Sequence, residues 1–137
     1  MNTFVSLLTI LVVALLFILP DTLRRHENLR LYWERQCMGI RWRRRFAEVP
    51  KAEIREFLTL FVDAFGYDHQ RRTCFSPDDR VMDIYRAENP PGSIVDQMEL
   101  ESFALSIDER YGLDLEAIWK DDLTLGELFA HTRKRGA

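Results

Sequence analysis

The first twenty residues, MNTFVSLLTILVVALLFILP, constrain this chain more than any other segment. They contain no charged side chain, and only a few mildly polar residues interrupt their apolar character. A helix of about twenty residues extends about 30 Å, which matches the hydrocarbon core of a bilayer. A lone span in lipid must satisfy its own backbone hydrogen bonds, and only a helix achieves this. The sequence therefore predicts a transmembrane helix over residues 1–20, ended near the interface by Pro20.

Two other interpretations of this run stay open: a cleaved signal peptide and a buried helix of a soluble protein. A signal peptide has a basic start, a shorter apolar segment and a small-x-small cleavage site. Here no Lys or Arg precedes the apolar run, which ends in LFILPDT rather than in an AxA-like site. These differences favour an uncleaved anchor.

The charges that follow the run predict its orientation. Four arginines, beginning with Arg24, lie within about 20 residues of its end, and positive residues near a span stay in the cytoplasm. The sequence thus predicts a single-pass protein of the inner (cytoplasmic) membrane, with its amino terminus outside and its remaining chain in the cytoplasm. Cys37 and Cys74 form no CxxC pair, which agrees with free thiols in a reducing compartment.

Residues 21–48 form a basic, aromatic segment that is predicted to be a juxtamembrane stalk. Over residues 21–50, eight arginines stand against four acidic residues. Arginine and aromatic side chains suit both nucleic acids and anionic membrane surfaces. Directly after a span the membrane surface is favoured, no nucleic acid is expected, and a solvated stalk without a ligand stays an alternative. The residues predicted to contact the lipid surface are Arg24, Arg25, Trp33, Arg41, Trp42, Arg43, Arg44 and Arg45.

Residues 49–132 carry the opposite charge and are predicted to fold as helices. Over residues 51–130, eighteen acidic residues stand against eight basic ones, and residues 133–137 form a short basic tail. Helical spacing predicts one core face on a first long helix that stops at Gly66. Ser76 and Pro77 predict the start of a short helix, and the segment ENPPGS predicts a loop. The core face consists of Ile54, Leu58, Phe61 and Phe65.

The segment DQMELESFALSIDERYGLDL predicts a second long helix that ends at Gly112. Thr124 and Glu127 have the spacing of a capping box at the start of a last helix. No alternating strand pattern is present, so the sequence predicts an all-α bundle of three or four helices. The core face of the second long helix consists of Leu100, Phe103, Ala104, Ile107 and Tyr111.

Residues 51–132 resemble the acyl carrier protein family in helix order, acidity and approximate length. In that family an Asp-Ser-Leu motif opens the second long helix. Here Asp96 and Met98 match the aspartate and the leucine, while Gln97 stands in the place of the serine. The segments RYGLDLEAIW and DLTLGELF are similar to a group of carrier-like bacterial domains of unknown function. The resemblance implies an acyl-carrier-like helical domain over residues 49–132.

Gln97 changes what this resemblance implies about activity. The phosphopantetheine arm of a carrier is joined through a serine hydroxyl, and an amide side chain offers no such oxygen. We therefore expect no cofactor, and the resemblance implies a non-catalytic interaction module that is not phosphopantetheinylated. Two alternatives stay open. One is a functional carrier that uses Ser93 as a displaced attachment site, and the other is a small structural subunit of a membrane complex.

Carriers present their second long helix to their enzymes, so the resemblance implies that this helix docks a protein partner with a basic surface. The sequence contains no calcium loop, paired zinc ligands, glycine-rich phosphate loop or hydrolase motif. We accordingly predict no catalytic residue, no metal site, no enzymatic activity and no small-molecule substrate. The carboxylates predicted to face the partner are Glu99, Glu101, Asp108 and Glu109.

Overall fold

The computed structural model describes residues 2–90 and 97–136, and these residues fold as helices. Apart from one isolated bridge between Arg80 and Thr124, the described residues form no β pairing. The all-α prediction is therefore confirmed. The elements in chain order are α1 (Asn2–Trp33), α2 (Gly39–Arg45), α3 (Lys51–Ala64), a 3₁₀ helix (His69–Cys74), α4 (Val81–Glu88), α5 (Met98–Tyr111), α6 (Leu115–Ile118) and α7 (Leu125–Gly136).

Helix α1 begins in the apolar run and ends in the core of the folded domain. Pro20 lies inside it, so the prediction that this residue ends the helix is wrong. Proline removes one backbone N–H from a helix, but apolar helices tolerate the loss through small local adjustments. The segment Thr3–Pro20 is exposed throughout and is apolar enough to cross a membrane, whereas Leu29 and Tyr32 are buried.

Helix α2 belongs to the folded domain, which differs from the predicted separate stalk. Trp42 is only 1% exposed, and its indole N–H donates to the carbonyl oxygen of Phe75 at 2.8 Å. Its ring lies 6.1 Å from that of Phe57 and 5.8 Å from that of Phe129. A buried tryptophan contributes a large apolar area once its N–H is paired. The buried core of the described residues therefore includes Leu29, Tyr32 and Trp42, which all lie before residue 49.

Helix α3 supplies the centre of the core. The Phe61 ring is fully buried and meets the rings of Phe75 and Phe103 edge-on, at centroid distances of 5.0 and 5.3 Å. Gly66 ends the segment with a positive φ of 69°, a conformation that favours glycine. The predicted core face is confirmed, because all its members are buried: Ile54, Leu58, Phe61 and Phe65.

Helix α4 begins at Val81, later than predicted. The backbone N–H of Ser76 donates to Asp79 Oδ2 at 2.7 Å, and that of Asp78 donates to Ser76 Oγ at 3.2 Å. These bonds are the capping chemistry that the sequence indicates. They close a turn in front of the helix instead of opening the helix itself, because the chain straightens at Arg80 before α4 starts.

The ends of α5 and α7 follow the sequence signals. Gly112 ends α5 in the left-handed conformation, with φ of 62°. The capping box of α7 is formed in both directions. The Thr124 backbone N–H donates to Glu127 Oε2 at 3.0 Å, and the Glu127 N–H donates to Thr124 Oγ1 at 3.2 Å. On the predicted core face of α5, Phe103 and Ile107 are fully buried.

Candidate functional site

The outward side of α5 combines carboxylates with exposed apolar side chains. Met98 is 59% exposed and Leu105 is 63% exposed, and the two lie two helical turns apart. Outside α1 and α2, they are the only large apolar side chains in the described part of the chain with such exposure. Exposed apolar side chains set among polar ones are typical of protein interaction sites.

Three of the four predicted docking carboxylates lie on this side of α5. Helical spacing places them with Met98 and Leu105 inside an arc of about 100°. They are exposed and form no ion pair with the residues that the structure describes. Glu99 lies outside the arc, is half-buried, and has a buried Oε2 without a hydrogen-bond partner among those residues. We call the exposed set the α5 acidic face: Met98, Glu101, Leu105, Asp108 and Glu109.

A second surface is an open groove between α2 and α3, with a volume of about 510 Å³. Its floor is made by the buried side chains of Trp42, Ile54 and Leu58. Ile40, which is 66% exposed, adds an apolar side chain from α2, and none of the described carboxylates lines the groove. We call this surface the basic groove, after the four exposed cations that line it: Arg43, Arg44, Lys51 and Arg55.

The cations of α2 and α3 differ in whether the domain pairs them. Arg41 and Arg45 lie 3.5 and 3.2 Å from the carboxylate of Asp78, so the domain itself pairs them. The four cations of the basic groove form no ion pair with any described residue. A concentration of unpaired positive charge over an apolar floor is suited to an anionic, partly apolar ligand.

The two tryptophans predicted to contact a lipid surface pack against the folded domain instead of being fully exposed. Trp42 is buried beneath α2, so the prediction that it contacts a lipid surface is wrong. Trp33 is half-buried, and its ring packs edge-on against Tyr67 at 5.1 Å, with the Arg71 guanidinium 4.6 Å from its centroid. These contacts place Trp33 against the folded domain. The side chains of Arg24 and Arg25 lie outside those that the structure describes.

The carrier-related positions lie around the start of α5. Gln97 is exposed and occupies the N-cap position, without a side-chain capping bond. Ser93, the predicted alternative attachment site, lies outside the described residues. Within residues 2–90 and 97–136, no group of three or more His, Cys, Asp and Glu side chains could hold a metal ion.

The two cysteines are free thiols in the structure. Cys37 is exposed and lines the basic groove. Cys74 is half-buried, and this burial raises the pKa of its thiol. Cys37 is therefore the more accessible of the two to a thiol reagent.

Sequence reasoning missed the basic groove. Its charges are visible as the run Arg43-Arg44 and as Lys51 and Arg55, which lie four residues apart on α3. These charges come together only because Trp42 of α2 packs against Phe57 of α3. No local pattern in the sequence predicts that packing.

Comparison of the chain with protein-family models, with curated proteins and with solved structures finds no match. A functional interpretation therefore depends on the geometry of the α5 acidic face and the basic groove. Both are exposed, mix charge with apolar side chains and carry opposite charge, a composition found where proteins bind macromolecules.

Proposed function

We propose that this protein is a membrane-anchored, non-catalytic docking module that binds a protein partner through the α5 acidic face. In this proposal α1 crosses the inner membrane over Thr3–Pro20, with the amino terminus outside and the domain in the cytoplasm. The domain acts as an acyl-carrier-like interaction module without a phosphopantetheine arm. The partner presents a basic surface.

The anchor is supported by the exposure of the apolar part of α1. A soluble protein rarely exposes a continuous apolar surface of this extent, whereas lipid requires one. The helix lacks charge over Thr3–Pro20, and the arginines that follow favour a cytoplasmic position for the domain. Because α1 continues into the core through Leu29 and Tyr32, the domain is held on its anchor by a helix rather than by a flexible linker.

The observation that carries the docking function is the exposure of Met98 and Leu105 between carboxylates that form no ion pair with any described residue. An exposed apolar side chain gains about 25 cal/mol per Å² of area when a partner covers it. The carboxylates around it accelerate encounter with a basic surface and suppress acidic partners.

Charge reversal on the full chain in its native membrane tests this function. In one variant Glu101 and Glu109 are both changed to Lys. In a matched control, Glu116 and Asp121 are changed to Lys, since both are exposed and lie outside α5. Partners are captured after brief cross-linking, identified by mass spectrometry, and their affinity is measured at increasing salt.

We expect the α5 variant to lose the partner at least tenfold, the control to keep it, and the wild-type affinity to fall as salt rises. Retention of the same partners, with the same affinity, by both variants would exclude the α5 acidic face as the docking surface.

A further inference from the structure

We propose that the basic groove of one copy of this protein receives the α5 acidic face of a second copy, so that domains associate head to tail beneath the bilayer. This inference rests on the proposed docking function and names the partner. It assigns a role to the basic groove, which the docking function alone leaves unexplained.

The two surfaces are complementary in charge. The α5 acidic face offers three carboxylates and the basic groove offers four cations, none of which forms an ion pair with a described residue, and no described carboxylate lines the groove. Each surface would leave its charges unsatisfied in the domain alone. Opposed surfaces of this kind steer association and fix its register.

The two surfaces are also complementary in apolar character. Met98 and Leu105 stand about 10.5 Å apart along α5, from seven residues of helical rise. The groove offers exposed Ile40 above a floor of Ile54 and Leu58. An apolar pair enclosed by ion pairs has the anatomy of a stable interface, with an apolar centre and a polar rim.

A single copy cannot satisfy both of its own surfaces. The groove uses the side of α3 that carries Lys51, Arg55 and Leu58. The opposite side of α3 faces α5, where Arg110 Nε lies 2.6 Å from Glu56 Oε1. Because the two surfaces point in different directions, their pairing is heterologous, and an open assembly keeps one of each surface free at its ends. Such contacts make a chain or a closed ring.

The membrane anchor favours this pairing. Copies anchored by α1 share one orientation and one plane, which raises their effective concentration. The length of α1 between its apolar span and its first buried residue exceeds the depth of the head-group layer. From Pro20 to Leu29, the first buried residue of α1 among those described, the helix rises about 14 Å, whereas the head-group layer is about 5–8 Å deep.

Cross-linking within membranes tests the contact directly, because the groove already contains an exposed thiol at Cys37. The test variant of the full chain combines Leu105→Cys with Cys74→Ala and is treated with a short bismaleimide. We expect a ladder of dimers and larger products that contain the Cys37 peptide joined to the α5 peptide. A matched control carries Ala117→Cys, at an exposed position of α6, in place of Leu105→Cys, and is expected to give less than one fifth of the product.

A charge-swap series separates a lost contact from a misfolded domain. Changing Arg43 and Arg44 to Glu in the cross-linking variant is expected to reduce the ladder at least fivefold. Changing Glu101 and Glu109 to Arg is expected to do the same. Combining both pairs of changes in one chain is expected to restore the ladder to at least half, since each surface then meets its new opposite.

Three outcomes would overturn the inference. The first is a Leu105→Cys product no more abundant than the Ala117→Cys control. The second is a combined swap that fails to restore a ladder lost in both single swaps. The third is an absent ladder together with Arg43 and Arg44 substitutions that abolish binding to phosphatidylglycerol vesicles, which would assign the groove to lipid.

The same experiments also distinguish failure of the self-association proposal from failure of the proposed docking function. If no ladder forms but the α5 charge reversal still releases another captured protein, the self-association proposal is excluded and the docking proposal is supported. If the α5 charge reversal changes neither the ladder nor the captured proteins, both the self-association proposal and the docking proposal are excluded.

Discussion

Arg35, two residues after the end of α1, forms an ion pair with Asp79 in the turn in front of α4. The guanidinium Nη1 donates to both carboxylate oxygens, at 2.9 and 2.7 Å, and the side chains are 29% and 11% exposed. The guanidinium also lies 4.6 Å from the Tyr32 ring centroid. Burial, followed by the charge of Asp79, raises the pKa of Tyr32 to about 12. A charge from the segment predicted to be a separate stalk thus stabilises the domain.

Replacing Asp79 with Ala tests this role. The change leaves the guanidinium of Arg35 and the backbone N–H of Ser76 without their acceptor, and we expect it to lower the free energy of unfolding by about 2–3 kcal/mol. Asp78→Ala removes a neighbouring carboxylate that is 63% exposed, so its cost should stay below about 1 kcal/mol. Denaturant unfolding of the full chain in detergent micelles, followed by circular dichroism, measures both. Equal losses of unfolding free energy in the two variants would show that the Arg35–Asp79 ion pair stabilises the domain no more than an exposed pair does.

Truncation tests where the domain begins. A fragment that starts at Asp21 keeps every buried side chain and should unfold cooperatively. A fragment that starts at Val49 loses Leu29, Tyr32 and Trp42 from the core, and deletion of even one large buried side chain costs about 2–5 kcal/mol. We expect this shorter fragment to lack a cooperative thermal transition. A sharp transition in the Val49 fragment would restore the boundary predicted from the sequence.

Acid sensitivity should arise in part from the α7 capping box. The Lys120 ammonium at 2.8 Å, together with the Thr124 backbone N–H, lowers the pKa of Glu127 to about 2. Its usual value of 4.5 applies in the unfolded chain, so its contribution is present above about pH 4.5 and is lost as pH falls towards 2. Solvent screening reduces the size of this contribution, because the side chain is 35% exposed.

Glu127→Gln should therefore weaken the decline of the free energy of unfolding between pH 5 and 2, measured by urea titration at stepped pH. Glu116→Gln, which changes an exposed carboxylate without an ion pair among the described residues, should leave that decline as in the wild type. A Glu127→Gln curve parallel to the wild-type curve would contradict the assignment.

Intact mass tests the absence of a carrier arm. After co-expression with a phosphopantetheinyl transferase, we expect the chain to keep its unmodified mass of 16.2 kDa, because Gln97 offers no hydroxyl to esterify. An authentic carrier protein in the same cells is the positive control. A mass increase of one phosphopantetheine arm that disappears in Ser93→Ala would establish the displaced attachment site instead.

The features that the sequence predicts correctly are local. The core face of α3, the ends at Gly66 and Gly112, and the Thr124 capping box each depend on residues within a few turns of one another. Trp42 shows where such reasoning stops. A tryptophan among arginines suits a membrane interface as well as a core, and its partner, the Phe75 carbonyl, lies 33 residues further along the chain.

The two candidate surfaces also differ in how far the sequence predicts them. Helical periodicity places Glu101, Asp108 and Glu109 away from the core face of α5, and the structure adds that Glu99 is half-buried. The basic groove exists only after α2 has packed on α3. The basic groove is therefore a property of the tertiary structure.

The unbroken path of α1 through Pro20 has a mechanical consequence. A helix of 32 residues extends about 48 Å, so a change of about 10° in its tilt displaces its far end by about 8 Å. Hydrophobic helices adjust their tilt to the thickness of the surrounding bilayer. With α1 inserted in the bilayer as proposed above, lipid composition sets the direction in which the domain points, so that α1 acts as a lever arm as well as a tether.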